Sequence, residues 1–521
     1  MLSMTLDLNK ISLKNKAAWS LIQKGHTVGV FQLESELGKQ WASRIRPRNI
    51  NELSAVLALI RPACLESGMT EQYCRIKDGT EPPFKFNDTE VDKILNPTNG
   101  VLIYQEQLMK FGGEIAWSDL PHLERLVIVD KLRKGIGKKD VKLLSDLKSK
   151  FIKGCVKNGR SEELANKLFS MIENAGRYAF NDAHAKKYAL ISYKTAYLKA
   201  NFPYEFYSVY LTYSRSRQKP KEEIRNLVNE ARMLGISISG PEIVESNKEF
   251  MIKGSGKDKT IFFGLSHLKQ VSGNDVEVIS NSPECVKTFP GLMRMHFDKE
   301  SFKKRLRSLA VESLIKCGAC DSYGISRRVM LEIFTVIKSL TPKEIEFVME
   351  KIKNSSLDTA ESIINIIKEC SKSRSTPKRK ELVYSEADSI VITEKDTGTS
   401  KIGHERDIIG VEFTKIFEGQ SHGTSLNCKE CFRISKTSRG KVGQIAVDVG
   451  EIIQLVTKKG KNPGSEMCQL VVSDNSGSLR LACFPDKYKK YKDILVEGQK
   501  YMMKIQGTGS GWCVEDVKIL R

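Results

Sequence analysis

Thr27-Val28-Gly29-Val30-Phe31-Gln32-Leu33-Glu34-Ser35 is an apolar, strand-like run that opens into amide, carboxylate and hydroxyl side chains, and it begins a series of uncommon words. Outward from it, in chain order, stand Arg61-Pro62 with Leu65 and Ser67-Gly68-Met69, then Tyr73, Lys77 and Gly79, then Tyr104-Gln105-Glu106-Gln107-Leu108-Met109. Beyond these lie Leu132-Arg133-Lys134-Gly135-Ile136-Gly137-Lys138-Lys139 and Phe180-Asn181-Asp182-Ala183-His184-Ala185. Tyr188-Ala189-Leu190-Ile191-Ser192-Tyr193-Lys194-Thr195-Ala196-Tyr197-Leu198-Lys199-Ala200 closes the series. The order of the words is more informative than any one of them.

In that order they resemble the fingers region of bacterial-type replicative DNA polymerases, the alpha subunit of DNA polymerase III. The resemblance implies template-directed DNA synthesis on primer-template DNA from deoxynucleoside triphosphates. It also implies Mg, held by the aspartates of a palm domain that activate the primer hydroxyl and steady the leaving phosphate. An Asp-x-Asp-rich palm strand is implied upstream of the fingers, and no Asp-x-Asp occurs among the 521 residues. Leu6-Asp7-Leu8-Asn9-Lys10-Ile11 resembles the connector leading out of the palm. The expectation is therefore a chain that begins after the metal site, holds no catalytic or metal-ligating residue, and works with a palm-bearing partner chain. Asp7 and Asp130 read as a cap or a solvated helix charge. A sliding clamp is a further partner the resemblance implies, although the chain has no Gln-x-x-Leu-Phe peptide of the usual clamp-binding kind.

Composition agrees with a polyanionic partner. The 84 Lys and Arg against 63 Asp and Glu give a net charge of +21, which favours nucleic acid over a role for lysine in solubility alone. A length of 521 residues accommodates about three domains. No apolar run approaches the roughly 20 residues that cross a bilayer, and the first residues lack a secretory leader, so no membrane partner is expected. A cytoplasmic location, in a bacterial or phage-infected cell, is expected. The 12 cysteines are irregularly spaced, which suits reduced thiols better than a disulfide framework. Cys317-Gly318-Ala319-Cys320 and Cys428-Lys429-Glu430-Cys431 leave a zinc reading open, the second pair with His404 and His422, although the distance between the pairs argues against one shared site.

The periodicity predicts an α+β multidomain protein. Residues 1–240 read as a mainly helical fingers domain, with apolar residues at three- and four-residue spacing. Residues 241–370 read as a helix-hairpin-helix-like region that binds DNA or a clamp. Its most legible part, Ile261-Phe262-Phe263-Gly264-Leu265-Ser266-His267-Leu268-Lys269-Gln270-Val271-Ser272-Gly273, resembles a hairpin whose glycines let backbone amides approach a phosphate. Gln270 and Ser272 stand where that family usually has glycine, so a phosphate site carrying Lys269 and a purely structural turn stay open. Residues 371–440 read as a basic linker and connector. Ser371-Lys372-Ser373-Arg374-Ser375-Thr376-Pro377-Lys378-Arg379-Lys380 has little to bury, which makes a solvated tether the expectation. From 441 the period changes to alternation around the turn Asn475-Ser476-Gly477-Ser478, which resembles the small OB barrel of the same polymerases. OB folds hold single strands by stacking and backbone charge. Candidate DNA contacts are Lys458, Lys459, Lys461, Arg480 and Phe484, with Phe484 alternatively a core residue.

Phosphoryl transfer needs cations on a rigid element beside the beta and gamma phosphates. Arg133, Lys134, Lys138 and Lys139 fit, since residues four apart share a helix face. The resemblance assigns two adjacent arginines here to the incoming nucleotide, and Lys134 replaces the second, keeping charge without bidentate geometry. It also places Asn181, His184 and Arg61 in the nucleotide and template pocket. Asp182 and Ala183 replace the Lys and Ser that the family carries there, and Lys186 and Lys187 restore positive charge. Gln32, Glu34, Gln105, Glu106 and Gln107 are expected to organise the domain through buried hydrogen bonds. Two functions follow. One is the C-terminal part of a split replicative polymerase; the other is a non-catalytic DNA-binding replication factor derived from it.

Overall fold

A computed structural model describes every residue except 1–5, 139–140, 176–178, 355–358, 394, 418–423, 436–437, 458–462, 510 and 521, with backbone alone at 136–138, 141, 175 and 399. The chain divides into two compact units, Met1–Pro203 and Tyr204–Arg521.

In the first unit the 27–35 stretch is not a strand. It folds into successive turns, in which Val30 N–H donates to Thr27 and Leu33 N–H to Val30. Gly29 and Gln32 both take positive φ, 71° and 63°, and two left-handed residues so close together stop an extended chain. Val28, Val30 and Leu33 still reach the core. The turn is clasped by the helix Asp182–Asn201, from the last of the sequence words. Buried Lys199 donates from Nζ to the carbonyls of Val28 at 2.6 Å and His26 at 3.0 Å. One turn or two earlier, Ser192 Oγ donates to the Phe31 carbonyl, and Phe31 N–H donates to Thr195 Oγ1. An amine out of water needs such acceptors.

The unit has two apolar cores. One gathers the helices Lys16–Gln23, Ile50–Leu59 and Asp182–Asn201 around Trp19, Leu53, Val56 and Tyr193. The other holds Phe111, Trp117, Phe151 and Phe169, with helices His122–Lys138, Val141–Lys157 and Glu162–Ala175. The extended segment 101–104 runs between them with period two. Val101 and Ile103 enter the first core, Leu102 the second, as alternating side chains of an extended chain must.

The second unit begins with the helix Pro203–Tyr213, then Pro220–Met233, followed by a small sheet. Its strands are β1 (Ile238–Ser239), β2 (Met251–Lys253) and β3 (Thr260–Phe262), in the order β1-β3-β2. Helices from Gly273–Ser280 to Ala360–Ser373 come next. Where a tether is expected, the structure has the helix Pro377–Asp388, which buries Val383 and Ala387, and then the helix Gly398–Ile408. A helix lying on a neighbour needs only a narrow apolar stripe, so few apolar residues suffice.

The final segment closes into a five-stranded barrel, as the alternation predicts. Strands β4 (Val442–Val456), β5 (Glu466–Asp474), β6 (Gly477–Cys483), β7 (Lys500–Gly507) and β8 (Trp512–Ile519) are ordered β4-β5-β6-β8-β7. The long β4 pairs with both β5 and β7, with a register shift between Val449 and Glu451, and such bulges bend a strand enough to serve two sides of a small barrel. Val447, Leu470, Tyr501 and Trp512 fill the interior. The barrel is consistent with an OB fold.

Candidate nucleotide and nucleic-acid site

The Tyr104 and Phe180 words meet as an isolated parallel bridge. Phe180 N–H donates to Ile103, and Gln105 N–H donates to Phe180, at 2.9 and 2.8 Å. Buried Gln107 anchors this junction by accepting from the Ile103 and Tyr104 amides while its own amide donates to Ile94 O and Thr98 Oγ1. Gln105 donates to the Ala179 carbonyl. Glu106 uses both oxygens: one accepts the Asn181 side-chain amide at 2.7 Å, the other the Asp182 N–H at 2.8 Å. Asn181 in turn caps the Asp182–Asn201 helix by accepting from His184 N–H.

On this frame Arg61, Asn181 and His184 come together. Arg61 caps the Pro62–Glu66 helix, donates from Nε to the Ala58 carbonyl, and lays its guanidinium 4.3 Å from the centre of the Phe180 ring. His184 stands edge-on to Phe180 at 5.5 Å and 4.1 Å from Tyr188, whose ring meets Phe31 at 5.2 Å. The result is a file of one cation and four rings with the exposed Asn181 amide beside it. Such a file offers a base a stacking surface and a phosphate a donor. Asp182 pairs with Lys186 at 2.7 Å, and Lys187 is exposed on the same helix.

The cations of the His122–Lys138 helix belong to the second core's outer face. Asp130 accepts from both Arg133 and Lys134, at 2.8 and 2.7 Å, and these two hold its carboxyl below the usual carboxylate range. The Lys138 side chain and all of Lys139 lie outside the described residues.

In the second unit the hairpin turn keeps its shape without the glycine. Gln270 has φ +69°, a left-handed value suited to glycine. Ser272 caps the Gly273–Ser280 helix in a capping box with Asp275. Arg307 then clamps the turn, donating to Asp275 Oδ2 at 2.7 Å and to the Gln270 carbonyl at 2.8 Å. Lys269 reaches both oxygens of Asp407 at 3.0 and 3.2 Å. In the barrel, Arg480 is half-buried on β6, and Phe484 is 45% exposed as the cap of the Pro485–Tyr491 helix, which removes the core reading for this ring. Lys458, Lys459 and Lys461 lie outside the described residues, as does His422. Cys317, Cys320, Cys428 and Cys431 are buried, and among the described residues no three His, Cys, Asp or Glu side chains converge as a metal site would require.

The model of the bacterial DNA polymerase III alpha subunit finger domain matches residues 2–159, and that of the helix-hairpin-helix motif matches residues 235–330. DNA polymerase III subunit alpha of Aquifex aeolicus (strain VF5) is 30% identical over 504 residues, 96% of this chain and 38% of that protein. The same subunit of Escherichia coli (strain K12) is 29% identical over 503 residues, 94% of this chain and 40% of its own. That of Buchnera aphidicola subsp. Acyrthosiphon pisum (strain APS) is 28% identical over 502 residues, again 94% and 40%. The chain belongs to the bacterial DNA polymerase III alpha-subunit family. It spans about two-fifths of the length of these relatives.

For this member of the alpha-subunit family, sequence reasoning found the words but missed what several of their residues do. Glu106 was legible only as an organiser, and its double role in fixing Asn181 and Asp182 needs the 103–105 and 180 segments side by side. Phe180 was read as part of a word, and its position under Arg61 brings together residues far apart in the chain. Arg307 carried no signal at all, since a lone Arg before a helix has many fates.

Proposed function

We propose that this chain supplies the fingers, hairpin and barrel of a replicative DNA polymerase that acts in the cytoplasm, with the palm and its Mg ions on another chain. The observation that carries the reading is the meeting of Arg61 and His184 on the Phe180 ring beside Asn181, in a unit whose residues 2–159 match the finger-domain model and whose residues 180–184 lie beyond that match. There Arg61 and Asn181 would meet the incoming deoxynucleoside triphosphate, with Arg133, Lys134, Lys138 and Lys139 neutralising its phosphates. Asp130 competes for two of these cations, but ion pairs exposed to solvent are weak and a polyanionic phosphate displaces a single carboxylate. The described residues offer no ligand set for Mg, so no step is assigned to a metal held by this chain. Its own residues bind and orient the nucleotide and neutralise its charge, which is most of what phosphoryl transfer asks of protein side chains. The hairpin with Lys269, and the barrel with Lys458, Lys459, Lys461, Arg480 and Phe484, would hold primer-template DNA. A sliding clamp is a further proposed partner.

Primer extension with and without a palm-bearing chain tests this. Synthesis is expected only from the pair, and neutralising Arg133 and Lys138 together should sharply reduce it. Unaided synthesis, or an unaffected double variant, sinks the proposal.

A second reading, a non-catalytic DNA-binding replication factor, draws on specific pairings: Asp182 with Lys186, and Lys269 with Asp407. Failure of the chain to bind any palm-bearing partner would favour it.

A further inference from the structure

The basic stretch expected to be a tether is instead held rigidly, and this changes what its charges can do. Ser371, Cys370 and Ile367 are buried at the end of the Ala360–Ser373 helix, and Pro377–Asp388 folds back on it through Val383 and Ala387. Among the acids of this region Glu369 pairs with Lys351, Asp388 with Lys368 and Glu344 with Arg379, while exposed Glu381 stands among the lysines. Lys372, Arg374, Lys378 and Lys380 are exposed, and among the described residues none of them is in an ion pair with these acids. Lys368 and Lys372 both stand 5.5 Å from the centre of the Tyr384 ring, so their ammoniums are focused on one spot. Lys372, Lys378, Lys380, Tyr384 and Ser385, with the single carboxylate of Glu381, line a groove of about 800 Å³.

Four cations against the one carboxylate of Glu381 leave a short stretch of surface with a net positive charge, which a polyanion offsets. Cations carried on packed helices give up less backbone entropy on binding than cations on a tether. Lysines, a phenol and hydroxyls around an open groove suit the phosphodiester backbone, with no call on base edges. We propose that this face of the Ala360–Ser373 and Pro377–Asp388 helices is a nucleic-acid backbone contact, separate from the hairpin and the barrel. It shares with the proposed function only the assumption that the chain binds DNA.

The test is fluorescence anisotropy of the full chain with a labelled single-stranded oligonucleotide and a labelled duplex, across a salt series. Lys372, Lys378 and Lys380 are replaced together (K372E, K378E, K380E). A control carries the same charge change at exposed Lys14, Lys24 and Lys85. The first variant should lose about tenfold or more in affinity at low salt, and its log–log salt slope should flatten by roughly 2 to 3, at about 0.9 per lost duplex phosphate contact and about 0.7 per single-strand contact. Loss on only one oligonucleotide supports the contact and identifies which strand form it takes. An unaltered slope, an equal loss in the control, or polyglutamate bound as tightly as DNA overturns it. If the unaltered chain binds neither oligonucleotide, the assumption of DNA binding fails with it, whereas an unaffected variant of a DNA-binding chain sinks this inference alone.

Discussion

The Lys199 ammonium is buried and donates to the Val28 carbonyl at 2.6 Å, tying together the first and the last of the sequence words that mark this chain. Replacing it with leucine keeps the volume and takes a charged donor from the buried Val28 carbonyl and the part-buried His26 carbonyl. Unsatisfied buried acceptors cost about 1–3 kcal/mol each, so Lys199→Leu should destabilise the first unit by about 2–4 kcal/mol. Urea unfolding followed by tryptophan fluorescence reads this, because Trp19, Trp41 and Trp117 all lie in that unit.

Glu106 should govern nucleotide affinity without touching the nucleotide. Glu106→Gln can accept on one oxygen only, so either Asn181 or the Asp182 amide loses its partner. The expected outcome, on the proposed function, is a deoxynucleotide KM raised about tenfold, the equivalent of one charge-assisted hydrogen bond of about 1.4 kcal/mol. Melting of the protein should change little. An unaltered KM would show that Asn181 has no need of this anchor.

Acid should loosen the hairpin region first through Asp275. Burial pushes this carboxyl up, but hydrogen bonds from Arg307 and Ser272 outweigh burial and hold it below the usual carboxylate range. Its folded-state pKa is therefore the lower one, so the stabilisation is complete above the unfolded value of about 3.9 and is lost as pH falls through the folded value. The second unit's unfolding midpoint should be insensitive to this group at neutral pH and drop below about pH 4. Asp275→Asn should remove this group's acid dependence and cost about 1–2 kcal/mol at pH 7, since the Arg307 end of the pair is open to solvent.

Gln270→Gly should stabilise the second unit. A left-handed conformation costs a residue with a Cβ roughly 1–2 kcal/mol that glycine avoids, and glycine's greater freedom in the unfolded chain takes back up to about 1 kcal/mol. A gain of about 0.5–1 kcal/mol by thermal unfolding is expected. If the hairpin grips phosphate, duplex affinity should rise as well, because the turn's amides lose an overhanging side chain.

The barrel was legible in the sequence because alternation recurs over Gln444–Val449 and Gln469–Asp474 and a turn signal at Asn475 and Ser476 marks the hairpin that follows. The 27–35 stretch was not, since alternating apolar residues look the same in a strand and in turns, and the left-handed state of Gln32 is imposed by contacts with a helix some 160 residues on. The start of the 371–440 segment misled for a related reason: charge counts describe the exposed face of the Pro377–Asp388 helix, while its buried face is supplied by Val383 and Ala387. Of the candidate site, residue types were readable and their grouping was not. His184 lies four residues from Phe180 and is a local neighbour, but Arg61 reaches the Phe180 ring only through tertiary contact, which no spacing rule encodes.

The barrel's closure is uneven in a way that matters for how it would admit a strand. Among the described residues every neighbouring pair of strands but one is zipped over seven or more residues, whereas β6 meets β8 through Leu481 with Trp512 and Ala482 with Cys513. Separating that short parallel stitch would breach the cylinder at small cost while leaving both flanking ribbons intact. The cylinder's least-tied seam therefore runs beside Arg480, the residue before Leu481 on β6.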